Sequence, residues 1–447
     1  MYSTLRDTNP LSSTDAIAWL HSFDKYRWVL GLERITALLE RLGNPQKKLQ
    51  IIHVTGSNGK GSVCKYISSI LQKAGHIVGL YLSPHIEHFS ERIVVGNQEI
   101  SEDDLAMLVS EIRPFVEDMK QQGETPTFFE IVTAIAFLHF KNRAVNYAVI
   151  EVGLGGRFDA TNVVDPLVTV ITNISLEHTE ILGKDIVSIA REKAGIIKDN
   201  IPVITAAEED AQETIRHVAK ECKAPLACID KTMWRRVFYQ KKRQGFVIHG
   251  SFKDYTVETS VLGRHQGENI AVAIAVVEQL QMNGVYITDK DIVDGIAATS
   301  HIGRMEFVVE NPPVLLDGAH NPAGMRMLAD TIQEDFSSQR LILVLGMLKE
   351  KDIKSMVSTI LPLADIIIVT KSMNPRAADP LLLQEIIACF DVNKTVFIEQ
   401  SIPRAIDHAT RIATEQDLIC VSGSLFTVGE ARSVLLSGKP LSGNSSS

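Results

Sequence analysis

The chain has 447 residues, 45% of them hydrophobic and 22% charged, which exceeds one ordinary domain and allows sizeable buried cores. A formal net charge of −9 argues against nucleic acid as a standing partner, and no apolar stretch approaches the roughly 20 residues a membrane helix needs. Five cysteines (Cys64, Cys222, Cys228, Cys389 and Cys420) lack CxxC spacing, and no cationic start leads into an apolar core, so reduced thiols and a cytoplasmic protein are expected.

The segment up to about residue 48 reads as helical, with Leu32, Ile35, Leu38, Leu39 and Leu42 at helix spacing. Apolar runs at Ile51–Val54, Val78–Leu82, Tyr147–Val152, Val168–Ile174 and Pro202–Thr205 then alternate with helical stretches. Continuous β-branched runs separated by helices predict a parallel sheet covered on both faces. Between Trp234 and Leu262 the pattern shortens and alternates, which predicts a small antiparallel add-on, followed by a buried helix from Asn269 to Leu280. A second series places strands at Val314–Leu316, Leu341–Leu345, Ile366–Val369, Thr395–Ile398 and Leu418–Val421. Helices are expected at 322–335, 353–361, 379–390, 402–414 and 426–436. The fold class is therefore α/β in two domains: a P-loop-type, mostly parallel sheet with its add-on over 1–302, and a Rossmann-like open sheet over 303–436, with a cleft between them. Residues 437–447, rich in Gly, Ser and Pro, read as a disordered tail.

Directly after Leu49-Gln50-Ile51-Ile52 comes His53-Val54-Thr55-Gly56-Ser57-Asn58-Gly59-Lys60-Gly61-Ser62. A strand, then glycines, a lysine and a hydroxyl, is how a chain holds a triphosphate: backbone N–H groups and the dipole of the next helix face the anion. Lys60 would meet the outer phosphates and Ser62 or a neighbouring hydroxyl would meet Mg²⁺. The first glycine sits too close to the lysine for the standard P-loop, and Gly61 separates Lys60 from the hydroxyl, which points away from ordinary GTPases and kinases. A Gly-rich turn with a surface lysine is the plainer alternative; the preceding strand and an amphipathic helix expected over Cys64–Ala74 weigh against it.

Ligands of open α/β sheets collect at the carboxyl ends of strands. There this chain carries Ser83-Pro84-His85, then Glu151 leading into Gly153-Leu154-Gly155-Gly156-Arg157-Phe158-Asp159-Ala160, then Leu176-Glu177-His178 and Arg191-Glu192-Lys193. Glu151 is placed where a nucleotide enzyme holds Mg²⁺. His178 is as readily a structural histidine as a metal ligand, and Lys193 by itself reads as part of a solvated face. In the second domain Asp317-Gly318-Ala319-His320-Asn321-Pro322 ends a strand and opens a helix, where Asn321 reads as a cap. Gly423-Ser424 stands at the end of the last strand.

In order along the chain, HVTGSNGKGS (53–62), LSPH (82–85), TFFE (127–130), EVGLGGRFDATN (151–162), LEH (176–178), REKAGIIK (191–198), HQGEN (265–269), GRME (303–306), LDGAHNP (316–322) and GSLFTVGEAR (423–432) resemble the folylpolyglutamate synthase and dihydrofolate synthase family, within the Mur-type ADP-forming amide ligases. The resemblance implies ATP and Mg²⁺ as cofactors, with Asn58, Gly59, Lys60, Gly61 and Ser62 on the phosphates and Asn269, Arg304 and Asp317 completing the nucleotide site. It implies Ser83, Glu151 and His178 as the Mg²⁺ set. Thr127, Phe128, Phe129, Glu130, Phe158, Asp159 and Ala160 would lie near the pterin-bearing substrate, and His320 and Ser424 would receive the incoming glutamate. Lys193 matches a lysine that the family carbamylates. Ser57 departs from the family's usual threonine but keeps the hydroxyl.

The implied reaction passes the γ-phosphoryl group of ATP to a folate or dihydropteroate carboxylate, and the amine of L-glutamate then displaces phosphate. Folate or dihydropteroate and glutamate are the expected partners of a monomer, with neither nucleic acid nor membrane. A Mur-type ligase for a peptidoglycan precursor, or a P-loop ATPase without ligase activity, are the alternatives; the first would lack the pterin-side residues, and the second would hydrolyse ATP without an acyl acceptor.

Overall fold

The computed structural model describes residues 11–23, 29–240, 242–337 and 339–437. The tail expected to be disordered lies, from residue 438 onward, outside the described residues. Two compact units divide the chain: Met1–Ile174, His178–Ile229 and Val272–Gly295 form the first, and Ser175–Glu177, Asp230–Ala271 and Ile296–Ser447 the second.

The first unit is built on eight strands: β1 (Ile51–Thr55), β2 (Val78–Tyr81), β3 (Ile93–Val95), β4 (Gln98–Glu99), β5 (Tyr147–Glu151), β6 (Val168–Ile171), β7 (Val203–Thr205) and β8 (Leu226–Cys228). Their order is β4-β3-β2-β5-β1-β6-β7-β8, parallel except for the short hairpin β3–β4 at one edge. The central strands are buried along their whole length, which is why they read as unbroken apolar runs. Helices Glu33–Arg41, Glu102–Gln121 and Phe128–Asn142 pack their apolar residues into one core over this sheet, with Ile35, Leu39, Ile112, Ile131 and Ile135 fully enclosed.

In the second unit β9 (Trp234–Gln240), β10 (Arg243–His249) and β11 (Asp254–Thr259) make the antiparallel sheet expected there. Six further strands, β12 (Glu306–Glu310), β13 (Pro313–Leu316), β14 (Leu341–Leu345), β15 (Ile366–Val369), β16 (Thr395–Ile398) and β17 (Leu418–Ser422), run in the order β12-β13-β17-β14-β15-β16. Only β12 is antiparallel in this sheet.

Three details differ from the sequence expectation. By contact, β9–β11 and the stretch after Gly295 group with the second unit rather than with a domain ending at 302. The cause is local: Arg236 forks onto Asp335 with two bonds of 2.9 Å, reaches Glu334 at 3.0 Å, and the Tyr239 ring meets Phe336 edge-on at 6.0 Å. The helix expected from Cys64 starts at Lys60. The strand expected to run to Ile174 stops at Ile171, because Thr172 and Asn173 leave the ladder to bond with the loop after β1.

Candidate active site

The loop after β1 enters the helix Lys60–Lys73 through Gly59, whose φ of 83° is a left-handed conformation suited to glycine, and no side chain caps this helix end. The first N–H groups of a helix have no partner within it, so an uncapped start is a ready anion receptor. The loop is held from outside. Asn173 accepts from Ser57 N through its carbonyl (2.8 Å) and from Asn58 N through Oδ1 (3.0 Å), and Thr172 Oγ1 donates to Asn58 O at 2.7 Å. Lys60 Nζ donates to Gly56 O at 3.1 Å, and buried Lys193, from the helix Ile186–Ala194, donates to the same carbonyl at 2.9 Å. Two lysines predicted from separate motifs thus meet at one loop.

Beside β1 in the sheet, β5 ends in Glu151, buried, with Oε2 accepting from Ser83 N at 3.0 Å. Ser83 Oγ is buried with no hydrogen-bond partner. Buried between Glu151 and Lys60 in charge, the Cys64 thiol is pushed well up, first by burial and then by Glu151, with Lys60 opposing. His178, the third member of the expected Mg²⁺ set, is exposed in a left-handed conformation before the short helix Thr179–Leu182. Among the described residues no group of three or more His, Cys, Asp or Glu gathers tightly enough to hold a metal. A carboxylate anchored beside an unsatisfied hydroxyl nevertheless suits Mg²⁺, which takes one or two protein oxygens and fills its octahedron with water and phosphate.

After Glu151 the chain turns at Gly153. A Cβ there would stand 2.5 Å from Phe129 Cζ and 3.1 Å from Asp159 Oδ2, so the ring and the carboxylate flank the same point of backbone. Phe129 also stacks on Tyr81 with centroids 6.1 Å apart. Buried Asp159 accepts from Leu154 N (2.9 Å), Thr161 N (3.0 Å) and Thr161 Oγ1 (2.5 Å). Burial raises its pKa, and those bonds oppose the rise. His53 Nε2 lies 2.8 Å from Thr161 Oγ1, and enclosure lowers its pKa to about 3, so it stays neutral at any physiological pH. Thr55 Oγ1 donates to Gly155 O at 2.6 Å, fastening this loop to the strand that carries the phosphate loop.

Of the other residues expected at the pterin, Phe128 and Ala160 are buried and Phe158 is 42% exposed. Thr127 and Glu130 form a capping box at the start of the helix Phe128–Asn142, and Glu130 also pairs with Arg34 at 3.0 Å. The Glu130 carboxylate is therefore engaged within the protein.

In the second unit Asp317 follows β13, buried, accepting from Ala319 N (2.9 Å) and Met305 N (3.1 Å). Burial raises its pKa and Arg304 opposes this. A Cβ at Gly318 would come within 3.2 Å of Arg304 Nη1, which places the guanidinium beside the turn. His320 Nδ1 lies 2.9 Å from Gly318 O, the distance of an N–H donating to that carbonyl; burial, then Lys351 and Arg304, hold its pKa well below the usual imidazole range. Asn269 is buried and donates to Gln266 Oε1 at 3.1 Å. Asn321 caps the helix Pro322–Asp335 as expected, through Gly324 N at 2.7 Å. Ser424 is also a cap: its Oγ, enclosed, accepts from Thr427 N at 3.1 Å.

The Mur ligase middle domain model matches residues 54–277, and that of the Mur ligase glutamate ligase domain matches 303–425. The dihydrofolate synthase/folylpolyglutamate synthase of Bacillus subtilis is 37% identical over 428 residues, covering 94% of this chain and 98% of that protein. This chain belongs to the dihydrofolate synthase/folylpolyglutamate synthase family. The Escherichia coli member is 34% identical, with 97% of each chain covered. Among solved members, a Mycobacterium tuberculosis folylpolyglutamate synthase complexed with ADP superposes with a TM-score of 0.89 at 31% identity, covering 96% of this chain and 99% of that one. Escherichia coli FolC in complex with DHPP and ADP gives 0.85 at 31% identity, covering 96% and 99%.

Several residues that support these loops are not expected at the site from sequence. Thr172 and Asn173 buttress the phosphate loop, and His53 and Thr161 hold Asp159. Arg92, mostly buried, donates from Nε to His85 Nδ1 at 2.8 Å and lies 5.9 Å from the Phe128 ring centroid. An Arg directly before an apolar strand, soon after the LSPH string, is the one hint that the sequence offers for it.

Proposed function

We propose that this chain is an ADP-forming ligase that joins L-glutamate to the carboxylate of dihydropteroate, a folate, or both. The observation that carries this reading is the pairing of two half-sites on neighbouring strands of one sheet. β1 leads into the phosphate loop, β5 leads through Glu151 to Phe129 and Asp159, and Thr55 ties the two loops together. An aromatic ring beside a buried carboxylate suits a flat, nitrogen-rich heterocycle: one face stacks and the ring N–H groups donate.

A carboxylate is a poor acyl donor because oxide would have to leave. One of its oxygens therefore attacks the γ-phosphorus, the bond to the β-phosphate oxygen breaks, and ADP departs, leaving an acyl phosphate. The glutamate amine attacks the carbonyl carbon, loses a proton, and the tetrahedral species expels inorganic phosphate with the transferred oxygen. Asn58, Gly59, Lys60, Gly61 and Ser62 would hold the phosphates, and Lys60 and Arg304 would balance negative charge as the phosphoryl group passes. The family resemblance assigns Asn269 and Asp317 to the nucleotide as well. Ser83, Glu151 and His178 would hold Mg²⁺, which supplies further charge neutralisation when bound.

Carbamylation of Lys193, in which Nζ bonds to the carbon of CO₂ and releases a proton, would turn a buried donor beside the phosphate loop into an oxygen ligand. His320 is assigned to the glutamate amine as a neutral acceptor through Nε2, since a strongly depressed imidazole is a weak base. Ser424 acts through the helix end that it caps. A cytoplasmic monomer completes the proposal; its cysteines are free, and no helix among the described residues is long and apolar enough to cross a membrane.

Purified protein should release ADP and phosphate only when pterin acid and glutamate are both present. Parallel assays with dihydropteroate and tetrahydrofolate assign the acceptor. Equal ADP release without either substrate contradicts the reading.

A further inference from the structure

The helix Phe128–Asn142 begins with the two aromatic residues of the pterin-side string, and what fixes that beginning lies 96 residues away. Thr127 caps the helix and Glu130 closes the box, with Thr127 N donating to Glu130 Oε2 at 2.6 Å and Glu130 N donating to Thr127 Oγ1 at 3.3 Å. A capping box is ordinarily complete at that point. Here Arg34, from the helix Glu33–Arg41, adds a fork to the same carboxylate: Nε donates to Oε2 at 3.2 Å and Nη2 pairs with Oε1 at 3.0 Å. The Glu130 side chain is 5% exposed and that of Arg34 16%. A bidentate guanidinium fixes the plane of a carboxylate as well as its position. Arg34 is held in turn, because Nη2 also donates to Val29 O at 2.6 Å and neighbouring Ile35, Leu38 and Leu39 are fully enclosed in the core that takes in Phe128.

Between cap and box stand Phe128 and Phe129. With Thr127 and Glu130 both locked, these two residues have no slack, and Phe129 is set on Tyr81 and against Gly153, next to Asp159. We propose that Arg34 is a positioning residue for the acceptor: through Glu130 it sets the first turn of the helix, and so the place of the Phe129 ring at the pterin. This rests on the ligase reading above. It gives Glu130, expected to touch substrate, a role one step removed.

A buried pair can also serve stability alone, so the test must separate the two. Arg34→Ala, Arg34→Lys, Glu130→Gln and the double variant Arg34→Ala/Glu130→Gln are purified, their circular dichroism compared with wild type, and KM and kcat measured for all three substrates. Arg34→Ala should raise the acceptor KM about tenfold, about 1.4 kcal/mol of acceptor binding, with kcat and the KM values for ATP and glutamate within about twofold. Arg34→Lys, which keeps the charge and loses the fork, should recover little of this. The double variant should bind acceptor no worse than Arg34→Ala, since both changes break one link. Should Arg34→Ala fail to fold, Glu130→Gln, which keeps the box but loses the charge pair, must show the same split in KM. An acceptor KM unmoved in a folded variant, or equal changes in all three KM values, overturns the proposal. A wild-type enzyme that ignores the pterin acid would instead refute the ligase reading and leave the role of Arg34 without an acceptor to act on.

Discussion

Three of the helix starts that follow strands in this protein are finished in two different ways. In the second unit, Asn321 and Ser424 close the helices Pro322–Asp335 and Leu425–Leu436 with their own side chains. In the first unit the helix Lys60–Lys73 begins at a left-handed glycine with no capping side chain. A cap satisfies N–H donors that would otherwise seek an anion, so the same local geometry is sealed in one place and left as a receptor in the other. A helix start following a strand is not by itself a phosphate site, and neither is an uncapped one, since the helices Glu209–Glu221 and Ile402–Ile412 also start without a side-chain cap; what sets the start at Lys60 apart is Lys60 and Lys193 together on the Gly56 carbonyl.

The contrast can be broken at either end. Lys60→Ala leaves the uncapped start but removes the cation beside it, and should lower kcat by roughly 10³-fold, as for other groups aimed at developing charge. Steady-state ADP release measures this, and near wild-type turnover would remove Lys60 from the phosphates. Ser424→Ala attacks a sealed start. It should cost about 1 kcal/mol of stability, read from the unfolding midpoint, because Thr427 N loses its acceptor. The KM for glutamate should rise only a few-fold; a rise beyond about tenfold, worth roughly 1.4 kcal/mol, would mean that the hydroxyl touches glutamate itself.

Much of this architecture was legible because its strands are buried on both faces and spell unbroken apolar runs, as in Leu341–Leu345 and Tyr147–Glu151. The hairpin β3–β4 was not, since strands of three and two residues carry no period to detect. The motifs placed Glu151 and Asp317 at strand ends, where the fold has them, and Lys60 and Asp159 in the segments that follow β1 and β5. What escaped was the support: Asn173 binds a residue 115 positions earlier, Thr161 meets His53 across 108, and Arg34 meets Glu130 across 96. Such partners are brought together only by the completed sheet. Ser424 and Glu130 show the opposite case: their nearest partners lie three residues away, and a cap leaves the same trace in sequence as a binding residue.

In the proposed reaction a carboxylate is activated by phosphoryl transfer before the amine attacks. With the pterin acid labelled by ¹⁸O in its carboxylate, the mechanism requires one labelled oxygen to leave in each inorganic phosphate formed as glutamate is joined. Mass spectrometry of that phosphate should find the label there. Unlabelled phosphate accompanying full amide formation would contradict the account.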